Sequence, residues 1–550
     1  MLITEELTNY IKKGKFAVFC GAGISFHSGF PLVASLTRHI LTGIKLNPAD
    51  VDEIIAAKLP FEAFAGVLAE ESGSLRFLKI YENGKPNQDH YFLAALAKAG
   101  KIKVIVTTNF DTLIEQALDS EGLKKSADYL VYYQENDFEK IAWDTEKLIL
   151  IKIHGSIQSK RNMAVTLERI SQSPLTVGRK KIIENLFTSG KHEEVMVLGY
   201  SFSDVFDIIP QIASLPSLSK KIVVIQHTPG LVKARVTKPK AKSKMPFEKA
   251  ANCSVIKIDT DALIQQLALL CISQPLPANP LENNRWIRQV DHWLEDINRQ
   301  DKSAFSAIAG KLFYLKSNFE KAAVHFEAAL SSANTEAKKC NHLRNMGIVS
   351  KELGHYKKAL AYLFEAETIA GRLKDKKPLI STLNNIAYTY GAQEDQQTAS
   401  EYQVSSLKMA KKIKNKKLMA INYNNLGIIL GAQKHYEEAL INFDKALKWM
   451  DRIGYVQWEA RTINNVGIAK RLLHRLDESL GLHQRALQLS EQLGFTDERT
   501  LSLENMARTY FESKNYDLAI KNIKTAISLT KETGNKGTRH KCFDFLSKNI

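Results

Sequence analysis

The chain has 550 residues, 44% hydrophobic and 25% charged, the balance of an ordinary globular protein too long for one domain. It has no run of about 18 apolar residues, which excludes a spanning helix. Its five cysteines (Cys20, Cys253, Cys271, Cys340 and Cys542) form no Cys-x-x-Cys pair, which argues against a disulfide framework or a structural zinc site. The formal net charge of +17 favours acidic partners.

Met1 to Lys13 mixes acids, asparagine and lysine and lacks the apolar centre of a secretory signal. With the scattered cysteines this predicts a cytoplasmic protein. Short β-rich runs then alternate with helical stretches up to about residue 272. The predicted strands are Phe16–Cys20, Lys103–Thr107, Tyr129–Tyr133, Leu148–Ile153, Val195–Gly199, Ile222–Gln226 and Val255–Ile258. Several are near-continuous apolar runs, as strands covered on both faces should be. Strands alternating with helices predict an α/β doubly wound parallel sheet of Rossmann-like type. Lys45 to Gly100 is mostly helical in pattern and too long for a simple crossover, so part of it reads as a helical insertion over a pocket. Pro229 to Lys249 holds seven Lys or Arg against one acid, Glu248. It reads as a solvated loop, because nucleic-acid binding would interleave aromatics and only Phe247 is present.

Pro275, Pro277 and Pro280 then mark a stiff, extended linker. Beyond it the chain repeats. Small residues stand at Gly347, Ala387, Gly427, Gly467 and Ala507, at Ala359, Ala399, Ala439, Ser479 and Ala519, and at Ala366, Ser406, Ala446, Ala486 and Ala526. Each column steps by 40 residues, and an offset earlier copy has Gly310, Ala322 and Ala329. Such self-similarity predicts a solenoid, in which each helix buries a small residue so that its partner can approach. The predicted division is residues 1–272, a linker and connecting helix at 273–303, and an all-α solenoid with a C-terminal capping helix at 304–550. The columns resemble the tetratricopeptide repeat, most closely in Asn425-Leu426-Gly427, Tyr436, Ala439, Phe443 and Ala446. In the weaker copy Gln396 and Gln403 replace large residues. A polar column, Asn345, Asn385, Asn425, Asn465 and Asn505, with Asn384, Asn424 and Asn464 beside it, has two readings. The amides line a peptide-binding groove, or they bond neighbouring hairpins together.

Four motifs stand at strand ends, where open α/β sheets hold ligands. They are Gly21-Ala22-Gly23-Ile24-Ser25, Thr107-Thr108-Asn109-Phe110-Asp111, His154-Gly155 and Gly199-Tyr200-Ser201-Phe202-Ser203-Asp204. The glycine turn predicts close approach of backbone N–H groups to an anion. An asparagine carboxamide can hold a water or a ribose hydroxyl, and an imidazole can take a proton near neutral pH. Asp111 either bonds a ribose hydroxyl or caps the following helix, and Asp204 reads as a helix cap.

Together with Ser28-Gly29-Phe30-Pro31, these motifs resemble those of the sirtuin family, in order and at plausible spacing over about residues 1 to 270. The resemblance implies NAD as substrate and cleavage of its nicotinamide–ribose bond. It implies catalytic roles for Asn109 and His154. It implies cofactor contacts from Gly21, Ala22, Gly23, Ser25, Pro31, Thr108, Asp111, Gly199, Ser201 and Gln226. No metal is implied, because the two Cys-x-x-Cys pairs of deacylating sirtuins are missing and Gly155 to Val195 has no cysteine. Sirtuin-like domains without that module resemble hydrolases of bacterial antiviral defence that destroy NAD. The expected function is therefore NAD hydrolysis to nicotinamide and ADP-ribose, gated through the repeats by a protein or peptide, such as a phage component, or by homo-oligomerisation. The alternatives are an NAD-dependent protein deacylase or ADP-ribosyltransferase, and a non-enzymatic nucleotide-binding adaptor. No membrane or nucleic-acid partner is expected.

Overall fold

The computed structural model describes residues 3–549 apart from 15, 58, 60, 74–75, 159–176, 203–207, 240–244, 248–249, 251, 281–284, 454, 493–495 and 534–535. The chain forms two compact units. One comprises residues 1–40, 60–62 and 75–293, and the other 41–59, 63–74 and 294–550. Among the described residues no helix is long and apolar enough to cross a membrane.

The first unit is built on an eight-stranded sheet. Its strands are β1 (Phe16–Cys20), β2 (Ile102–Thr107), β3 (Tyr129–Tyr132), β4 (Leu148–Lys152), β5 (Glu194–Leu198), β6 (Lys221–His227), β7 (Arg235–Thr237) and β8 (Cys253–Ile258). They lie in the order β3-β4-β2-β1-β5-β6-β8-β7, and every neighbouring pair is parallel except β7–β8. Alternation explains the layers. Val18 and Cys20 of β1 face one core with Ile105, Leu150 and Met196, while Ala17 and Phe19 face a second with Val106, Ile151 and Val197. Both faces are covered, so β1 and β4 are buried along their whole length. The strand β7 has no such signature. It is exposed throughout, sits in the basic segment read above as loop, and was not predicted. The chain leaves β1 for β2 on one side and returns to β5 on the other. The switch point between β1 and β5 is where such sheets open a crevice.

The second unit is a stack of antiparallel helix pairs from Ala304–Leu315 onward, ending in the helix Lys536–Asn549. The small columns do what small residues must. A Cβ on Gly427 would lie 2.6 Å from the Phe443 ring, and one on Gly347 2.6 Å from Leu363. Two helices of the predicted insertion, Pro48–Ala56 and most of Phe61–Ser72, belong to this unit. There Glu53 accepts from Lys316, Lys321 (2.6 Å) and Asn318 (2.9 Å), and Lys311 reaches Glu70 (2.6 Å) and Glu71 (2.5 Å).

Much of the asparagine column holds the stack together. Asn424 Oδ1 accepts from Thr462 (3.1 Å) and Asn465 (2.9 Å), Asn464 donates to Ser502 (2.8 Å), and Tyr388 donates to Asn425 (2.8 Å). The odd Gln403 is fully buried and donates to Asn384 (2.9 Å) and Asn422 (2.6 Å).

Candidate active site

The Gly21 turn leaves β1 and runs into a 3-10 helix, Ala22–Ser28, rather than an α-helix. Its glycines act through their missing side chains. Gly21 N–H donates to Leu198 O (3.0 Å) and Gly23 N–H to Gly199 O (2.8 Å), so both amides are committed to the end of β5 and not offered to an anion. A Cβ on Gly21 would meet Tyr200 Cα at 2.6 Å, and one on Gly199 would meet Ile24 N at 2.5 Å. Packed this closely, Gly21, Gly23 and Gly199 form a cradle across the switch point.

Ser25 stands beyond them, 3% exposed. Its Oγ donates to Asp111 Oδ2 (3.0 Å), accepts from Asn109 Nδ2 (3.1 Å), and lies 3.2 Å from His90 Nε2. Three predicted site residues, from two of the four motifs, thus meet at one hydroxyl. Asn109 is positioned two residues past β2, its own N–H donating to Thr107 Oγ1 (3.1 Å). Because its amide nitrogen is spent on Ser25, its Oδ1 is fixed as an acceptor. That Oδ1 is buried and has no partner among the described residues, as is Ser28 Oγ. Buried polar atoms are normally satisfied, which makes both orphans candidates for ligand contact. Asp111 stands at the start of the next helix and also braces Ser25. Its Oδ1 accepts from Leu113 N–H (3.0 Å) at the start of the helix Leu113–Ser120, and its Oδ2 takes the Ser25 proton.

His154 stands two residues past β4, which pairs with β2 through Thr107 and Lys152. It is 8% exposed, and its ring lies 6.2 Å from that of Phe110. The backbones of its loop and of the Asn109 loop are tied by Ile157 N–H to Phe110 O (2.9 Å) and Ile153 N–H to Thr107 O (3.0 Å). Asn109 and His154 are therefore neighbours at adjacent parallel strand ends.

The other candidates are more dispersed. Thr108 N–H donates to Cys20 O (3.1 Å), Pro31 is buried and Ala22 exposed. Ser201 is exposed just past β5, and Gln226 is exposed near the end of β6, two strands away from β1. Asp204 lies outside the described residues.

Three residues missed in the sequence, Asn87, His90 and Lys152, complete the floor. Asn87 caps the helix Gln88–Lys98, and its Nδ2 donates to Ile24 O (2.7 Å). The His90 ring closes that cap, with Nδ1 3.2 Å from Asn87 N and 2.8 Å from its Oδ1. Burial pushes His90 down to about 3, so the ring is neutral. Lys152, 1% exposed, donates to Asp111 O, to Glu115 Oε1 (2.9 Å) and to Ser156 Oγ (3.2 Å). Lys152 could have been noticed, since a lysine closing an apolar strand must find partners. Asn87 with His90 three residues on is a capping pattern at a helix start.

Residues 103–255 match the model of the SIR2-like domain, and residues 378–452, 418–492 and 458–532 each match that of the tetratricopeptide repeat. An "NAD-dependent protein deacetylase" of Clostridium perfringens is 38% identical over 115 residues, 20% of this chain and 45% of that one. The "NAD(+) hydrolase ThsA" of Acinetobacter baumannii is 24% identical over 208 residues, 37% of this chain and 40% of that one. The "NAD-dependent protein deacylase 2" of Archaeoglobus fulgidus is 27% identical over 228 residues, 40% of this chain and 80% of that one. The chain thus spans less than half the length of the first two relatives. It is a fusion of a sirtuin-like domain with tetratricopeptide repeats.

Proposed function

We propose that the sirtuin-like unit hydrolyses NAD to nicotinamide and ADP-ribose. The observation that carries this reading is Asn109. Its carboxamide is locked by Ser25 so that a buried Oδ1, with no partner among the described residues, stands beside the His154 loop. An acceptor there can hold a water or a ribose hydroxyl. The orphaned Ser28 Oγ offers a further polar contact to a nucleotide.

Cleavage breaks the bond between C1′ and the pyridinium nitrogen, and the electron pair goes to nicotinamide. Water forms the new bond to C1′, and His154 takes its proton as general base. Asn109 orients the water, and burial of both residues excludes competing solvent. Asp111 holds Ser25, and Ser25 holds Asn109.

The likeness to ThsA supports hydrolysis, while the likeness to deacetylases keeps lysine deacylation as the second reading. The cysteine-free stretch from Gly155 to Val195 favours water over an acyl-lysine acceptor, because it lacks the thiols of a zinc module that shapes such a groove. A constantly active enzyme of this kind would exhaust cellular NAD. The reading therefore includes gating in the cytoplasm by the repeat unit, through a bound protein or peptide or through self-assembly, in an antiviral role.

Incubating the purified chain with labelled NAD separates the readings. Free ADP-ribose and nicotinamide are the expected products. Labelled protein, or deacylation of an added acyl-lysine peptide without free ADP-ribose, would replace hydrolysis with transfer.

A further inference from the structure

Lys152 takes no part in the chemistry above, yet it is the most deeply buried charge beside it. Its three donors have three acceptors, on two loops and a helix. Asp111 O lies on the loop that carries Asn109, Ser156 Oγ follows His154-Gly155, and Glu115 Oε1 comes from the helix Leu113–Ser120. A buried ammonium is expensive unless every proton is matched, and here every proton is matched. A packed apolar residue would close the strand at less cost, so the charge itself calls for a use.

That use follows from counting protons. Ser25 has one hydroxyl proton and three neighbours. It gives the proton to Asp111 and so accepts from Asn109 Nδ2, while His90 Nε2 lies 3.2 Å away. This holds only while Asp111 is a carboxylate. A protonated Asp111 would donate to Ser25 instead, the serine proton would turn toward Asn109 or His90, and the Asp111 proton would compete with the Asn109 amide for the serine oxygen.

We propose that Lys152 is a positioning residue that cross-links the two catalytic loops and, through Asp111 and Ser25, sets the orientation of the Asn109 amide. The proposal rests on the NAD-binding site described above.

The groups around Asp111 leave Lys152 as its source of positive charge. His90 and Asp89 come from the helix Gln88–Lys98, Cys20 from β1, Tyr81 from the 3-10 helix Arg76–Glu82 and Glu115 from the helix that follows. His90 is neutral, burial raises both the Cys20 thiol and the Tyr81 phenol, and the remainder are acids. Burial also pushes Asp111 up, and the Lys152 charge is the largest effect opposing it. Without Lys152 the carboxyl therefore rises further and is protonated at higher pH.

The test compares wild type, Lys152→Arg and Lys152→Met/Glu115→Gln, the second change sparing the double variant an unpaired carboxylate. Folding is followed by circular dichroism, NAD affinity by calorimetry and turnover by product release, from pH 5 to pH 9. The double variant should fold, bind NAD at pH 9, and lose affinity and kcat as pH falls, approaching about tenfold per pH unit below the raised Asp111 pKa. Wild type should show that step only at lower pH, and Lys152→Arg should move back toward wild type. Adding Asp111→Asn to the double variant should remove the step. A double variant that folds with a pH profile parallel to wild type would overturn the proposal, as would a step that survives Asp111→Asn. Should wild type bind NAD without cleaving it, the hydrolase reading fails, but affinity against pH still decides the role of Lys152.

Discussion

Gly23 and Gly199 stand back to back across the switch point. The Gly23 amide donates to Gly199 O at 2.8 Å, and a Cβ on Gly23 would lie 2.7 Å from that same oxygen. Both glycines are backbone spacers between β1 and β5. Gly199 also has φ +65, where a side chain adds strain. We expect Gly23→Ala and Gly199→Ala each to cost about 2–3 kcal/mol, as overpacking does, and to abolish NAD binding. Thermal melts and calorimetry check this. Tight binding by either variant would mean that the cradle is not where the nucleotide sits.

The chemistry is expected to fail separately from binding. His154→Ala removes the general base and should lower kcat by about 10²–10⁴ while leaving NAD affinity within severalfold. Asn109→Ala should lose turnover to a similar extent. Steady-state kinetics beside binding data make the comparison, and full turnover in both variants would remove the catalytic assignment.

In the solenoid, Gln403 fills the place that Phe443 holds one repeat later, and it pairs with Asn384 and Asn422. Gln403→Leu strands both amide oxygens and should cost about 1–3 kcal/mol. Adding Asn384→Leu should recover part of that loss. A double-mutant cycle by denaturant unfolding measures the coupling, and strict additivity would show that the pair does not interact.

Acid should loosen both units. Burial pushes His90 and His483 down to about 3 from an ordinary 6.5. The unfolded chain therefore binds protons that the folded one refuses. The neutral rings cost nothing above pH 6.5, and stability falls as pH drops from about 6.5 toward 3. His483 lies one repeat beyond Phe443, two beyond Gln403, and bonds Asn464 (2.8 Å). His483→Gln should keep that bond and flatten part of the slope. An unchanged slope would place the titration elsewhere.

A second step overlaps the lower end of that window. Lys316, Lys321 and Asn318 hold Glu53 down at about 2, against an ordinary 4.5. Its contribution is present above pH 4.5 and is lost as pH falls from there to 2. Hydrogen exchange in the helix Pro48–Ala56 should accelerate over that range, and Glu53→Gln should accelerate it already at pH 7.

Residue order alone made the scaffold legible. Phe16–Cys20 and Leu148–Ile153 read as strands because burial on both faces demands unbroken apolar runs, and 40-residue recurrence of small side chains announced the solenoid. The strand β7 was illegible because an exposed antiparallel edge leaves no periodic trace. Short motifs also announced Ser25, Asn109, Asp111 and His154 as candidates. Their relations were not legible. Nothing local says that the Ser25 hydroxyl, 84 residues from Asn109, fixes which amide atom faces the site, or that Lys152 ties together two loops. Nor does it say that the insertion after the nucleotide turn docks its acids on solenoid lysines. Chain-local patterns encode backbone conformation and burial, whereas proton direction and charge pairing depend on which distant groups the sheet and the helix stack bring within 3 Å.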